Sequence, residues 1–309
     1  MTTALYTHAS SLAHQMPDGH PEQIARIKVI GDALDNIDGL LRLDAPDADT
    51  ADILRCHPQS YLDRLAKAAP TQGIVALDAD TSMSPGTLTA ARHAVGGNCA
   101  AVDQVLSGQA HNAFVATRPP GHHAERETPM GFCLFGNIAI AAKRALDHHG
   151  LSRVAVIDFD VHHGNGTADL LWSEDRIRFV SSHQMPLWPG SGDPHETGSH
   201  GQITNIPFAP GTGSQTFRTT YEREVLPMLH DYAPELMLIS AGFDAHEDDP
   251  LAQMNLKTDD FIWVTERLCD LADATADGRI VSTLEGGYDL PALAASTAAH
   301  VTVLKERAR

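Results

Sequence analysis

Long apolar runs are missing from this chain, and no segment approaches the roughly 20 consecutive apolar residues that a membrane span needs. Basic residues are scarce: 22 lysines and arginines face 40 aspartates and glutamates, for a formal net charge of −18. Such a surface repels nucleic-acid phosphates and anionic membranes and favours neutral or cationic ligands. The four cysteines, Cys56, Cys99, Cys133 and Cys269, are far apart and form no CxxC. This usage reads as reduced thiols in a cytoplasm. The opening MTTALYTHASSLAHQ lacks both the basic stretch and the apolar core of a signal peptide. No linker, repeat or low-complexity tract divides residues 1–309, so a single domain is expected. The sequence leaves the oligomeric state open, a homo-oligomer included.

What is present alternates between two patterns. Short apolar runs at 113–121 (AFVATRPPG), 153–160 (RVAVIDFD), 177–183 (IRFVSSH), 236–244 (LMLISAGFD) and 279–288 (RIVSTLEGGY) end in turn signals or acids. Unbroken apolar runs suggest strands buried on both faces, as in a parallel sheet. Helical patterns lie between them at 87–106, 137–149, 216–232 and 258–275, the last with Thr258 placed as N-cap. The alternation predicts a doubly wound α/β fold. Ligands bind such sheets beyond the carboxyl ends of the strands. The clusters GHH, DFDVHHGN, GFDAH and EGGY each follow a strand, which core packing alone does not predict.

In an extended strand end, Asp158, Asp160 and His162 share one face. Two acids and an imidazole that close call for a cation. Asp244 is the natural third ligand, with His246 and Asp248 as nearby alternatives. A His/carboxylate set suits zinc, and three protein ligands leave a fourth position for water. His122 and His123, after Pro119-Pro120-Gly121, are candidate acid–base groups. Asp158 and Asn165 are candidates to fix their tautomers. Tyr288, beside two glycines, is placed to stabilise an oxyanion. Gly131, Phe132 and Trp188 read as pocket walls, or as plain packing.

The segments PPGHH (119–123), GFC (131–133), DFDVHHGNG (158–166), SAGFDAH (240–246) and LEGGYD (284–289) resemble the histone deacetylase family of zinc amidohydrolases. The resemblance runs from about His20 to the EGGYD segment. It implies the arginase/deacetylase fold, a parallel sheet of about eight strands with helices on both faces. It further implies zinc ligands Asp160, His162 and Asp244, His123 as general base and acid, and His122 as its electrostatic neighbour paired with Asp158. Tyr288 becomes the transition-state donor. Phe132 and Trp188 would line an acyl-lysine tunnel, with the Gly131 carbonyl facing the substrate amide. The family also binds potassium: here one site would involve Asp158, Asp160, His162, Ser181 and Ser182, and a second would lie near Leu171, Glu174 and Ile177.

Details narrow the group. Asn165 stands where one branch carries Asp, and PPGHH and GFDAH are typical of the class II-like branch. Leu251 occupies the position where polyamine-selective relatives carry an acid, which points toward a lysine-type deacylase. HQMPLW allows either Leu187 or Trp188 as the second tunnel aromatic position, Ile24 replaces a common proline, and Asp80 is the candidate rim acid. The implied activity is hydrolysis of an acylated amine, with an acetylpolyamine amidohydrolase as the alternative. An arginase-like dimetal hydrolase would need further bridging carboxylates, which the sequence does not offer. A zinc-stabilised binding module has no need of the full set of ligands, histidine pair and tyrosine.

Overall fold

The structure, a computed structural model, describes residues 2–308. Its strands are β1 (Thr3–Thr7), β2 (Leu41–Asp44), β3 (Val75–Ala76), β4 (Ser82–Met83), β5 (Asn112–Val115), β6 (Val154–Asp158), β7 (Ile177–Gln184), β8 (Ile203–Phe208), β9 (Leu236–Ala241) and β10 (Ile280–Leu284). Its helices are α1 (Ile24–Leu34), α2 (Thr50–Ile53), α3 (Gln59–Ala68), α4 (Thr87–Leu106), α5 (Asn137–Asp147), α6 (Asn165–Leu171), α7 (Ser214–Thr220), α8 (Leu226–Tyr232), α9 (Thr258–Thr275) and α10 (Leu290–Arg307). Eight strands form one parallel sheet in the order β2-β1-β5-β10-β9-β6-β7-β8, while β3 and β4 make a small antiparallel hairpin.

The apolar runs have the reason the sequence suggested. Along β6, Val154 and Val156 face one core, and Ala155 and Ile157 face the other. Along β9, Leu236 and Leu238 alternate with Met237 and Ile239 in the same way. A strand covered on both faces needs an apolar residue at every step. The first core is completed by Val95 and Val102 of α4 and Ile138 of α5. The second is completed by Ile30 of α1, Leu268 of α9 and Val301 of α10. No helix among the described residues is long and apolar enough to cross a membrane.

Two local expectations are corrected. The helix expected over 216–232 is interrupted by a π-helical turn at Tyr221–Val225. Pro227, just beyond it, has no N–H to continue the α-helical ladder. Thr258 is not an N-cap but the first residue of α9: the Lys257 N–H ahead of it donates to the Asp260 carboxylate at 2.9 Å. A carboxylate is the stronger acceptor there, and Thr258 Oγ1 instead lies 3.1 Å from Ser296 Oγ.

Four of the predicted strands, β5, β10, β9 and β6, lie side by side in the middle of the sheet. Their carboxyl ends lead into residues 116–123, 285–288, 242–246 and 159–163, so the four polar clusters meet over the sheet's centre.

Candidate active site

Asp158 ends β6, in register with Ser181 of β7 and Ser240 of β9. Beyond it the chain turns. The Asp160 N–H donates to Asp158 Oδ1 (3.1 Å), and the His162 N–H donates to Asp160 Oδ1 (2.9 Å). Such side-chain turns end the extended geometry. The alternation expected to put Asp158, Asp160 and His162 on one face therefore stops at Asp158. That carboxylate faces His122, with its Oδ2 3.0 Å from His122 Nδ1.

Asp160 and His162 instead meet Asp244. All three are buried, with ligand atoms within 4.8 Å of one another. His162 Nδ1 lies 3.2 Å from Asp160 Oδ1 and 3.1 Å from Asp244 Oδ2. Burial opposes a charge on His162, but hydrogen bonds to these two carboxylates raise its pKa to about 10. An imidazole pressed to that degree toward a positive charge marks a place that suits a cation. The donor set of two carboxylates and one imidazole fits zinc. The alternatives to Asp244 lie elsewhere: His246 stacks on Phe261, its Nδ1 3.6 Å from the exposed Asp248. One other group of metal-ligand type occurs among the described residues, Asp103, His148 and His149. There Arg144 already holds both Asp103 oxygens at 2.8 Å.

The histidine pair, on the segment after β5, reaches the cluster: His122 Nε2 lies 3.7 Å from Asp160 Oδ2. The His122 and His123 rings are 3.8 Å apart. His123 Nδ1 is 2.7 Å from Asn165 Oδ1, while Asn165 Nδ2 donates to Glu125. With its amide so oriented, Asn165 can only accept at Oδ1, so His123 carries its proton on Nδ1 and leaves Nε2 free. The two imidazoles are driven apart electrically. Burial, the charge of His122 and that of His162 push His123 well below the ordinary histidine range. Burial also opposes charge on His122, but Asp160 and Asp158 outweigh it and hold its pKa well above that range.

Tyr288 lines the same cleft as His123 and His162. The Arg26 guanidinium lies 4.9 Å from its ring centroid, and the Phe132 ring packs edge-on at 5.9 Å. Burial raises its phenol well above the usual value, so it stays a donor. A cleft of about 220 Å³ joins these groups; it is lined by Asp80, His123, Phe132, His162, Leu187, Trp188, Leu251 and Tyr288. The choice between Leu187 and Trp188 dissolves, because both line it. The Trp188 ring stands 4.7 Å from that of His123. Gly131 lies outside the lining, its φ of +55° a conformation that favours glycine. Its N–H donates to Asp80 Oδ1 (3.1 Å), and its carbonyl accepts from the Cys133 thiol (3.2 Å).

Of the residues expected near potassium, Asp158, Ser181 and Ser182 are adjacent across β6 and β7, with Ser182 Oγ donating to the Asp158 carbonyl (3.4 Å). At the second expected position, the Leu171 carbonyl accepts from Gln202 (3.0 Å) and the Glu174 carbonyl from the Ile177 N–H (3.3 Å).

Sequence reasoning gave no role to three residues that support this site. Arg26, buried and paired with Glu22 (3.0 Å), donates to the carbonyls of Gly287 and Glu285, both at 2.6 Å. Asp249 accepts the N–H groups of Tyr288 (2.6 Å) and Leu251 (3.0 Å). Glu285 accepts those of Gly121 and His122. The only available signal was acids inside DDPL and EGGY, next to residues already singled out.

A wholly parallel sheet with this trio, histidine pair and tyrosine over its central strands belongs to the arginase/deacetylase class of α/β hydrolases. Comparison with known proteins carries this to the family. The histone deacetylase domain matches residues 20–304, and the chain belongs to the histone deacetylase family. It is 41% identical over 272 residues to a histone deacetylase-like amidohydrolase of Pseudomonas aeruginosa, covering 87% of this chain and 71% of that one. It is 44% identical over 302 residues to an uncharacterized protein of Synechocystis sp., covering 96% and 97%. The crystal structure of the HDA15 HD domain superposes with a TM-score of 0.93 at 29% identity, covering 99% of this chain and 89% of that one.

Proposed function

We propose that this chain is a zinc-dependent deacylase that removes acetyl or another acyl group from the ε-amine of lysine or a similar primary amine. The observation that carries this reading is one cleft bordered by His162 of the metal-ligand trio, by His123 and by Tyr288. Asp160, His162 and Asp244 would hold the zinc. When bound, it supplies Lewis acidity, acidifying a water and polarising the acyl carbonyl. His123 takes the attacking water's proton at Nε2 and returns it to the departing amine. Asn165 keeps that nitrogen free, and His122, charged against Asp158, stabilises the negative charge that develops. Tyr288 donates to the acyl oxygen as it becomes an oxyanion. Phe132, Trp188, Leu187 and Leu251 enclose the aliphatic stem, and Asp80 at the rim holds the substrate backbone. One potassium ion near Asp158, Ser181 and Ser182, and a second near Leu171, Glu174 and Ile177, would be structural. The four buried free cysteines support a cytoplasmic setting.

Apolar Leu251 in the lining favours a lysine-type substrate, whereas the charge of −18 suits a polyamine. Turnover of zinc-loaded protein on an acetyl-lysine peptide and on acetylspermidine decides between them. The peptide is expected to be the better substrate. Preference for acetylspermidine would replace the lysine reading, and hydrolysis of neither would refute the deacylase. Tyr288→Phe should keep its zinc and lose about 10²- to 10³-fold in kcat. Wild-type turnover in that variant would remove Tyr288 from the mechanism.

A further inference from the structure

Glu285 is fully buried, yet the proposed mechanism leaves its carboxylate unused. It lies just past β10, in the gap between the ends of β5, β9 and β6. Its Oε2 accepts the N–H groups of Gly121 (2.7 Å) and His122 (3.2 Å), and its Oε1 accepts the Ser240 hydroxyl at 3.1 Å. Its own main chain is held as firmly: the N–H donates to the Ala241 carbonyl (3.0 Å), and the carbonyl accepts Arg26 Nη2 (2.6 Å). The turn that carries the histidine pair has no strand or helix of its own between β5 and α5. Among the described residues, Glu285 is the acceptor for the two successive N–H groups that set the direction of His122. A carboxylate buried without such donors would be costly, so the side chain and the turn fix one another.

We propose that Glu285 is a positioning residue: by gripping the Gly121 and His122 amides it fixes the histidine pair against Asp158 and the metal-ligand trio. The proposal rests on the reading of His122 and His123 as the proton-handling pair. The grip runs through hydrogen-bond acceptance, not through touching substrate. A side chain of the same shape that still offers one oxygen should therefore restore it.

Three variants of the zinc-loaded enzyme test this. Glu285→Ala should bind one zinc and keep KM within about threefold while kcat falls about 10- to 100-fold, the range for losing an orienting partner. Glu285→Gln, which presents an acceptor to the two amides and a donor to Ser240, should recover most of that kcat. The low-field proton resonance of the His122 Nδ1–H on Asp158 should shift or broaden in Glu285→Ala and return in Glu285→Gln. If Glu285→Ala does not fold, Glu285→Met, of equal length and without an acceptor, takes its place. Full kcat in the variant without an acceptor, or Glu285→Gln as impaired as that variant, overturns the proposal. His123→Ala is the control: if it stays active, the functional reading itself fails, and the resonance alone then reports on the grip. If it is inactive while Glu285→Ala is not, only the positioning role falls.

Discussion

A methyl group added at Gly286 would fall against Asp160 and Asp244, whose carboxylates flank His162. Its N–H donates to Asp160 Oδ2 at 2.8 Å, so the backbone must come that close. Gly286→Ala should therefore stay folded but bind zinc about 10- to 100-fold more weakly, as measured by competition with a chromogenic chelator. Unchanged affinity would mean that the carboxylates are not the ligands. At this scale the sequence was informative where a residue works through its side chain. Asp160, His162, Asp244 and the histidine pair stand in runs that packing does not call for, and the structure brings them together. Glu285 and Asp249 were silent because they work by accepting main-chain N–H groups, and no residue pattern records which amides a distant turn leaves unpaired. Arg26 was silent for the same reason, since its partners are carbonyls 259 and 261 positions away.

Among the elements, legibility followed burial. β6, β7, β9 and β10 lie deep in the sheet and show as continuous apolar runs. β2 and β8 escaped notice because they are the sheet's edges: β2 is only four residues of alternating exposure, and β8 contains Pro207. β1 was missed as well, within a leading segment weighed mainly for targeting signals. Its burial resembles that of the inner strands. The interruption between α7 and α8 was foreshadowed only by Pro227. Ile239, wholly buried at the middle of β9, gives a test of the two-sided burial. Ile239→Ala should cost about 2–5 kcal/mol, read as a lower urea midpoint. A cost under about 1 kcal/mol would put that face of β9 outside a close-packed core.

For the whole molecule, the buried histidines set a lower limit on pH. His57 accepts the Gly136 N–H at Nε2 (2.9 Å) while Nδ1 faces the Arg126 carbonyl, so protonation would set two N–H groups against each other. His300 lies between Thr265 and Ser282 in the second core. Burial lowers their pKa values from 6.5 to about 4 and about 3. Above pH 6.5 neither affects stability. As pH falls below that value the unfolded chain takes up the protons and the folded chain does not, so stability is lost. At pH 5 the loss is about 2 kcal/mol for each. The drop in unfolding free energy between pH 7 and pH 5 should therefore be about 2 kcal/mol smaller in His300→Gln than in the parent chain. Equal drops would show that His300 is not held neutral.

The place of β10 in the sheet has a consequence for how the two halves join. Among the described strands β10 comes last in sequence, yet its place is between β5 and β9, near the middle of the sheet. The rest of the sheet can pair β1 with β5 and β6 with β9, but those two halves are joined only through β10. Neither half can hold the complete set of reactive groups. Without β10 the facing edges of β5 and β9 would be unpaired, the kind of edge that invites pairing with another chain, so this one strand closes both the sheet and the site.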